Sequence, residues 1–156
     1  MKILLVDDHA LIRDALRGVL QELVDGAVIL EASDCRQATQ LIQECPDLRL
    51  ILLDLHLPDR DGLAFLADLR KRHASISVVV LSGSQDRDTV MRALNLGALG
   101  FVPKSSARDI MTNALRLVLS GGIYIPPEAL APAEMASPGQ PAARSVSPKA
   151  PTRGNL

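Results

Sequence analysis

The sequence predicts an α/β fold: a doubly wound, parallel sheet of five strands with helices on both faces. Short apolar runs alternate five times with stretches that repeat apolar residues every three or four positions. This alternation is typical of parallel sheets whose strands are joined by crossover helices. Each run is four to six residues long and carries almost no polar residue, which is the pattern of strands that are covered on both faces.

The runs that predict strands lie at residues 3–6, 27–30, 50–53, 76–81 and 99–102. Four helices are predicted between them, because apolar residues recur on one side of each helix, as expected for helices that pack on a sheet. These residues are Ile12, Ala15, Leu16, Val19, Leu20 and Leu23 in the first helix, Ala38, Leu41 and Ile42 in the second, Leu63, Leu66 and Leu69 in the third, and Val90, Met91 and Leu94 in the fourth.

A fifth helix, at about residues 106–119, differs from the others because it is apolar on more than one side. Its apolar residues are Ile110, Met111, Ala114, Leu115, Leu117 and Val118. Contact with the sheet requires one apolar face, and an additional exposed face commonly marks a surface for a partner. We therefore expect this helix to support pairing with a second copy of the chain.

Composition excludes several classes of function. The formal net charge of the 156 residues is −1, so no chain-wide positive charge attracts nucleic acid. Aromatic residues make up 2% of the chain, which argues against a surface that stacks unpaired bases. The apolar run at the N-terminus is too short for a signal peptide, and no run is long enough to span a membrane. A cytoplasmic protein without a membrane partner is therefore expected.

The two cysteines, Cys35 and Cys45, fall on or beside the second predicted helix. Ten residues of helix separate two positions by roughly 15 Å, whereas a disulfide requires Cα atoms within about 7 Å of each other. Both cysteines are therefore expected to be free thiols in a reducing compartment.

The composition changes after Gly121 and Gly122. Residues 126–156 contain seven of the ten prolines, no aromatic residue and no apolar periodicity. Such a segment cannot bury enough apolar surface to offset the entropy lost on ordering it. We therefore expect a domain at residues 1–121, followed by a linker or tail rich in Pro, Ala and Ser at residues 122–156.

Polar residues follow four of the five predicted strands. Asp7 and Asp8 follow the first strand, Asp54 the third, Ser82 the fourth and Lys104 the fifth. The carboxyl ends of parallel strands share one edge of the sheet, and ligands bind at that edge in doubly wound folds. Taken alone, each of these residues could have an ordinary structural or surface role; Asp8, for example, could simply cap the first helix. Together they predict a site at this edge, where Ser82 and Lys104 are expected to be exposed.

Three carboxylates beside one lysine favour a site for a divalent cation and a phosphoryl group. Crowded carboxylates repel each other unless a cation neutralises them. Mg²⁺ prefers oxygen ligands and is usually held by one or two carboxylates together with phosphate. An aspartate carboxylate can itself attack a phosphoryl group, and a lysine and a hydroxyl can contact the phosphoryl oxygens. These residue types therefore suit the transfer of a phosphoryl group to an aspartate.

Four motifs at the strand ends resemble the receiver domains of two-component response regulators. They are Val6-Asp7-Asp8-His9, then Asp54-Leu55-His56-Leu57-Pro58 with Gly62 eight residues after Asp54, then Leu81-Ser82-Gly83, and finally Phe101-Val102-Pro103-Lys104. The resemblance covers about residues 2–120. It implies the flavodoxin-like (βα)5 receiver fold and a phosphoacceptor regulatory domain that is not an enzyme, beyond its own phosphorylation and dephosphorylation.

By this resemblance, Asp54 is the residue that accepts the phosphoryl group. Asp8, Asp54 and the backbone carbonyl of His56 would coordinate Mg²⁺, and Asp7 would act on the ion through a bound water. The histidines His9 and His56 flank this site, where they either tune access to it or are ordinary polar loop residues.

The resemblance also implies which residues respond to phosphorylation. Lys104 and Ser82 would bind the phosphoryl group, and Ser82 would be the switch hydroxyl. Phe101, three residues before Lys104, would be the switch aromatic whose rotamer follows Ser82. Gly83 stands where the family usually has a small residue such as Ala, and it is expected to loosen the loop after the fourth strand.

Residues 8–13 (DHALIR) and 121–127 (GGIYIPP) are similar to the LuxR-type transcription regulators of this family. That similarity implies phosphorylation by a sensor histidine kinase. The second apolar side of the fifth helix predicts a homodimer of the phosphorylated form, and the alternative is that both sides of this helix are buried within the domain. DNA would be bound only through a helix-turn-helix domain that this chain lacks and that the linker at residues 122–156 would precede. A stand-alone single-domain receiver is the alternative.

The acidic edge allows three other interpretations. Phosphatases of the haloacid-dehalogenase type need a second aspartate two residues after the nucleophile, and this chain has His56 there. A flavodoxin-like flavin carrier needs a phosphate-binding loop after the first strand, where the Asp7-Asp8 pair would repel a flavin phosphate. A receiver-like interaction module that is never phosphorylated remains open, although the acceptor and its partner residues are intact.

Overall fold

The computed structural model describes residues 1–83 and 86–130, which contain one parallel sheet of five strands. The strands are β1 (Lys2–Val6), β2 (Val28–Ala32), β3 (Leu48–Asp54), β4 (Ser77–Ser82) and β5 (Gly100–Pro103). Their order across the sheet is β2-β1-β3-β4-β5, so the winding direction reverses between β1 and β3. The predicted five-stranded, doubly wound α/β fold is confirmed.

All five predicted helices are present; four of them connect successive strands and the fifth follows β5. The helices are α1 (Ala10–Leu23), α2 (Cys35–Glu44), α3 (Gly62–Arg72), α4 (Arg87–Asn95) and α5 (Arg108–Leu119), and a short α6 (Pro127–Leu130) follows them. An aspartate carboxylate accepts a hydrogen bond from the first turn of three of these helices, at Asp34 of α2, Asp61 of α3 and Asp86 of α4. These acidic caps explain where the helices begin.

The helices cover the sheet in two layers, and the apolar strands supply one core to each layer. Residues of α1 and α5 pack with Ile3 and Leu5 on one face, whereas α2, α3 and α4 pack with Leu4 and Val6 on the other. Alternate residues of a strand point to opposite faces, so a strand between two layers must be apolar at every position. This is the physical reason for the continuous apolar runs in the sequence.

The second strand lies slightly later in the chain than the pattern predicts. The apolar run ends at Leu30, but β2 continues through Glu31 to Ala32. Glu31 can remain in the strand because Arg13 Nε lies 2.7 Å from its Oε1, and the Arg17 guanidinium contacts the same carboxylate. Neutralisation by two residues of α1 therefore allows a charged residue within the sheet.

The fifth helix presents an exposed apolar pair besides its packed face. Met111, Ala114, Leu115 and Val118 are buried against the sheet and α1, whereas Ile110 and Leu117 are 44% and 41% exposed. Ile110 and Leu117 are seven positions apart and therefore lie on the same side of the helix.

No helix in residues 1–83 and 86–130 combines the length and the apolar character needed to cross a membrane.

Both cysteines are free thiols, as predicted, but their surroundings differ. Cys35 is buried at the start of α2, and its backbone N–H donates to Asp59 Oδ1 over 3.0 Å. Burial raises the pKa of the Cys35 thiol to about 12, and the nearby Asp59 carboxylate contributes to the shift. Cys45, at the end of the same helix, is partly exposed.

We predict that iodoacetamide reacts with Cys45 well before Cys35 in the folded protein. The thiolate is the reactive species, and a buried thiol with a pKa of about 12 is almost fully protonated at about pH 8. Peptide mapping by mass spectrometry after brief alkylation should therefore find Cys45 labelled and Cys35 unlabelled. In guanidinium chloride both cysteines should react at similar rates, and equal rates in the folded protein would contradict the prediction.

Candidate functional site

Two buried carboxylates meet at the carboxyl edge of neighbouring strands. Asp7 directly follows β1, Asp54 is the last residue of β3, and both are fully buried. The N–H of Asp7 donates to the Ala32 carbonyl over 3.0 Å, which extends the pairing of β1 with β2. Asp54 Oδ1 accepts a hydrogen bond of 3.0 Å from the N–H of His56. The Oδ2 atoms of Asp7 and Asp54 are buried and accept no hydrogen bond.

Lys104 lies between these two carboxylates. Its Nζ is 3.0 Å from Asp7 Oδ2 and 2.9 Å from Asp54 Oδ2, and both contacts are ion pairs that lack hydrogen-bond geometry. The backbone N–H of Lys104 donates to the Ser82 carbonyl over 2.8 Å. This bond joins the loop after β5 to the end of β4 and holds the lysine over the acidic edge.

Burial and charge pairing shift the pKa values of Asp54 and Lys104 in opposite directions. Burial raises the pKa of Asp54 above its ordinary value; the His56 N–H and Lys104 oppose this shift, and Asp7 adds to it. Burial also lowers the pKa of Lys104, but the carboxylates of Asp54 and Asp7 outweigh that effect, so its pKa is raised. Two carboxylates thus share one ammonium, and an additional cation would favour their ionised forms.

The expectation that Ser82 and Lys104 are exposed is wrong. Ser82 is the last residue of β4, which has β3 on one side and β5 on the other, and it is fully buried. The Lys104 side chain is 14% exposed, because it lies against two buried carboxylates. Removing this lysine would leave those charges without compensation, so its loss costs more than the loss of a surface amine.

Asp8 and His9 form the exposed side of the site. Asp8 does not cap α1, since the N-cap residue is His9 and its side chain makes no capping hydrogen bond. The Asp8 side chain is 38% exposed. His9 Nδ1 lies 2.9 Å from Asp7 Oδ1, 3.2 Å from Asp8 Oδ1 and 3.0 Å from Lys104 Nζ. The His9 ring is therefore part of the site.

The donor atoms of this cluster fit a divalent cation. One possible ligand atom from each of Asp7, Asp8, His9 and Asp54 lies within 4.8 Å of the others. Three of these residues offer carboxylate oxygens, the ligands that Mg²⁺ prefers. The buried Oδ2 atoms of Asp7 and Asp54 accept no hydrogen bond and share the Lys104 ammonium, so a cation would supply additional positive charge to them.

The loop after β3 fixes the backbone beside Asp54. The Asp59 carboxylate accepts hydrogen bonds of 3.0 Å and 3.1 Å from the N–H groups of Cys35 and Arg36, which attaches the loop to the start of α2. Leu55 and Leu57 are buried, whereas His56 between them is exposed. The loop is thus held by its alternate residues, with His56 next to the site.

Gly62 closes this loop by a very close approach of two backbone segments. Its N–H donates to the Leu55 carbonyl over 3.1 Å. A Cβ at position 62 would lie 2.4 Å from Leu55 Cα and 2.6 Å from its carbonyl oxygen, whereas a Cβ at Gly83 would meet no atom within 4 Å. The glycine eight residues after Asp54 is therefore required by the absence of space for any side chain.

Phe101 lies beneath the site on β5. It is fully buried and belongs to the same apolar cluster as Val90 and Ala93 of α4. A change in its rotamer would therefore require α4 to adjust, since buried side chains are closely packed.

Arg13 and Glu31 support the site but were not singled out from the sequence. The Arg13 guanidinium donates to the Asp7 carbonyl and also pairs with Glu31. A charged residue directly after the apolar run of β2 was the available signal, because such a residue needs a neutralising partner nearby. The spacing alone did not identify which arginine supplies it.

Comparison with known proteins identifies the family. The profile of the response regulator receiver domain matches residues 3–116. The chain belongs to this family. Its four motifs and the matched region cover the same part of the sequence, from β1 to α5.

Curated relatives of this receiver domain are longer regulators. It is 42% identical over 127 residues to the glycerol metabolism activator of Pseudomonas putida, a match that covers 81% of this chain and 58% of that protein. It is 36% identical over 135 residues to the nitrate/nitrite response regulator NarL of Escherichia coli (strain K12), a match that covers 86% of this chain and 62% of that protein. The chain thus spans less than two thirds of the length of these relatives.

Solved structures of similar fold include LuxR-family regulators. A two-component response regulator of this family from Aurantimonas sp. SI85-9A1 gives a TM-score of 0.74 at 27% identity, covering 82% of this chain and 91% of that one. A LuxR-family DNA-binding response regulator from Silicibacter pomeroyi gives a TM-score of 0.71 at 30% identity, covering 81% of this chain and 98% of that one. The receiver domain therefore shares both fold and sequence with this subfamily.

We predict that Gly62→Ala destabilises the domain and that Gly83→Ala does not. The new methyl group at position 62 would overlap Leu55 backbone, and overpacking of this kind costs about 1–3 kcal/mol. Gly83 has an ordinary φ and open space around its Cα, so its substitution should be neutral or stabilise by about 0.4–1 kcal/mol through the unfolded state. Urea unfolding of both variants measures the difference. Equal stabilities would show that the loop relaxes around an added methyl group.

Proposed function

We propose that this receiver domain is a phosphorylation-dependent switch in which a sensor histidine kinase transfers a phosphoryl group to Asp54. The single observation that carries this proposal is the setting of Asp54: it ends the central strand, is fully buried, and has the Lys104 ammonium 2.9 Å from an oxygen that accepts no hydrogen bond. Ordinary loop carboxylates are solvated and do not occupy such positions.

The transfer forms one bond and breaks another at phosphorus. Oδ2 of Asp54 is the candidate nucleophile, because Oδ1 is already engaged by the His56 N–H. As the new O–P bond forms, the bond between phosphorus and the donor nitrogen breaks, and its electron pair remains on that nitrogen. Because the other ring nitrogen of the donor phosphohistidine carries a proton, the donor is released as neutral imidazole. The product is an acyl phosphate on Asp54.

Mg²⁺ is the cofactor that we propose for this step. Asp8, Asp54 and the backbone carbonyl of His56 would hold the ion, and Asp7 would contact it through a water. When bound, the ion neutralises the clustered carboxylates and the charge on the transferring phosphoryl oxygens. The exposure of Asp8 and the buried, non-hydrogen-bonded oxygens of Asp7 and Asp54 support this assignment.

Lys104, Ser82 and Phe101 would convert phosphorylation into a change of shape. Lys104 contacts Asp54 Oδ2, so it would hold an oxygen of the phosphoryl group. Ser82 ends the strand beside β3, and its carbonyl is already bonded to the Lys104 N–H. Movement of the Ser82 hydroxyl toward the phosphoryl group would free space for Phe101 and so alter β4, α4 and β5.

We further propose that the output of the full-length protein is transcriptional. The similar structures include a LuxR-family DNA-binding response regulator. This chain spans less than two thirds of the length of its curated relatives. DNA would therefore be bound through a domain outside this chain, with residues 1–121 as the receiver and 122–156 as the linker. Residues 131–156 lie outside the described part of the structure. A cytoplasmic location stays a prediction.

The alternatives are a stand-alone receiver and an interaction module that is never phosphorylated. A stand-alone receiver would still accept a phosphoryl group on Asp54, whereas the interaction module would not. The buried acceptor and its intact lysine favour a phosphorylated protein, because a module without this chemistry has no need for two buried carboxylates.

We predict that acetyl phosphate with Mg²⁺ adds one phosphate to the intact protein and that Asp54→Asn abolishes this addition. The matched control is Asp47→Asn, since Asp47 precedes the same strand at its opposite end and is exposed. Intact-mass spectrometry should find phosphate on the wild type and on Asp47→Asn, and none on Asp54→Asn. Chelation of Mg²⁺ should also prevent it. Labelling of Asp54→Asn to the wild-type level would refute Asp54 as the acceptor.

We propose that the phosphorylated form is a homodimer, and that α5 contributes to the interface. Its exposed residues Ile110 and Leu117 lie on one side of the helix and would be buried by pairing of identical surfaces about a two-fold axis. The predicted second apolar face of α5 is thus represented by these two residues.

Sedimentation should therefore detect a larger dimer fraction when beryllofluoride, a stable mimic of the phosphoryl group, is added with Mg²⁺. Ile110→Glu combined with Leu117→Glu should reduce that fraction at least about tenfold, because the interface would then bury like charges. Val28→Glu is the control, since Val28 is 47% exposed on the opposite edge strand β2. An unchanged monomer in both states at high concentration would remove dimerisation of this chain as an output.

A further inference from the structure

The outer edge of β5 is paired with the chain that follows α5. β5 is the last strand of the sheet, so its outer backbone groups would otherwise face solvent. Instead, the N–H of Phe101 donates to the Tyr124 carbonyl over 3.2 Å, and the N–H of Tyr124 donates to the Leu99 carbonyl over 3.0 Å. Tyr124 thereby forms a parallel bridge with Gly100 and covers the edge.

Two glycines direct the chain onto this edge. α5 ends at Leu119, and Gly121 follows with a φ of 97°, a backbone conformation that favours glycine. The N–H of Gly122 donates to the Leu117 carbonyl over 2.9 Å, and a Cβ at position 122 would lie 2.5 Å from Leu117 Cδ1. The reversal after α5 is therefore encoded locally, and it delivers Tyr124 to β5.

Buried residues anchor the segment beyond the edge. Pro126 is buried, Ala129 of α6 is 2% exposed, and Ile125 packs against the same apolar cluster as Phe101. The short helix α6 contacts α4. Residues 123–130, which we call the strap, are thus attached by two backbone hydrogen bonds and by apolar packing.

The strap contacts the part of the domain that would change on phosphorylation. One of its hydrogen bonds is made by the N–H of Phe101, and Ile125 and Ala129 share a cluster with the Phe101 ring and with Val90 of α4. β5 continues from Phe101 to Pro103, and Lys104 follows at the acidic edge. The residue whose backbone N–H holds the strap therefore lies three positions before the lysine whose ammonium contacts Asp54.

We propose that residues 123–130 dock on the β5 edge and on α4 as a strap, and that its loosening transmits a change at Asp54 to the chain beyond Leu130. The docking is independent of the proposed function, whereas the transmission rests on it. A short segment that is attached to the domain by backbone hydrogen bonds and apolar contacts can open without unfolding of the core. Phosphorylation would shift β5 and α4, which together form the surface that receives the strap.

Docking is tested first by substitutions in the full chain. Ala129→Asp places a charge at a buried position of α6, and Ile123→Asp, at a position that is 56% exposed, is the matched control. Hydrogen exchange followed by NMR should accelerate at the amides of Phe101 and Tyr124 by at least about tenfold in Ala129→Asp, with the amides of β1 and β3 unchanged. Unchanged exchange at Phe101 and Tyr124 would overturn the docking.

Transmission is tested by adding beryllofluoride and Mg²⁺ to the wild type. Hydrogen exchange at the Tyr124 amide should accelerate on the order of tenfold. The amide NMR signals of residues 82–104 should shift at the same time. Shifts at residues 82–104 without any change at Tyr124 would overturn the transmission alone. The absence of shifts at both places would overturn the proposed function and the transmission with it, while the result for Ala129→Asp still decides the docking.

A reversible disulfide gives an independent test of the same coupling. An ideal Cβ at Gly100 lies 3.6 Å from the Tyr124 Cβ, within the roughly 3.5–4.5 Å range of disulfides. Gly100→Cys with Tyr124→Cys, in a Cys45→Ser background, should lock the strap when oxidised. In the oxidised protein, beryllofluoride should no longer change the amide NMR signals of residues 125–130, and this change should return on reduction. The shifts at residues 82–83 should persist in both the oxidised and the reduced protein. A response at residues 125–130 that persists in the oxidised protein would overturn the strap as its route.

Discussion

Two buried carboxylates that share one ammonium are the constraint on which this domain is organised. Asp7 and Asp54 come from adjacent strands, and Lys104 reaches them from beyond β4, two strands away from β3 in the sheet order. Burial of an ion costs several kcal/mol unless partners compensate it. Here the compensation is incomplete, since one positive side chain faces two negative ones. The site is therefore electrostatically prepared to receive a cation.

This arrangement requires the loops around it to be rigid. A carboxylate that must present one oxygen while the other is held by a backbone N–H depends on the loop that carries that N–H. The structure attaches this loop to α2 through Asp59, to the core through Leu55 and Leu57, and to α3 through Gly62. The position of His56 is thus determined by attachments to α2, to the apolar core and to α3. Asp54 lies within the site itself, whereas Gly62 affects the site only through the space that it leaves empty.

The sequence predicted the strands and the acidic edge because both follow from local patterns and from the geometry of parallel sheets. It did not predict the burial of Ser82, since a serine at a strand end carries no signal of what covers it, and here β3 and β5 lie on either side. The role of Arg13 depends on a pairing across elements, which spacing alone does not specify. The attachment of Tyr124 to β5 was not predicted, because it uses backbone groups, and these leave no trace in apolar periodicity.

The shortness of β5 links the site to the exit of the chain. β5 has four residues, with β4 on one side and Tyr124 on the other, so few backbone hydrogen bonds oppose its displacement. Lys104 at its end contacts Asp54, and Phe101 within it supplies both a buried ring and the N–H that bonds to the strap. A longer or more central strand would resist such movement, because its hydrogen bonds would have to break together. An edge strand that carries the lysine at its end and the strap along its side would thus provide a direct route from a charge at the sheet edge to the segment beyond α5.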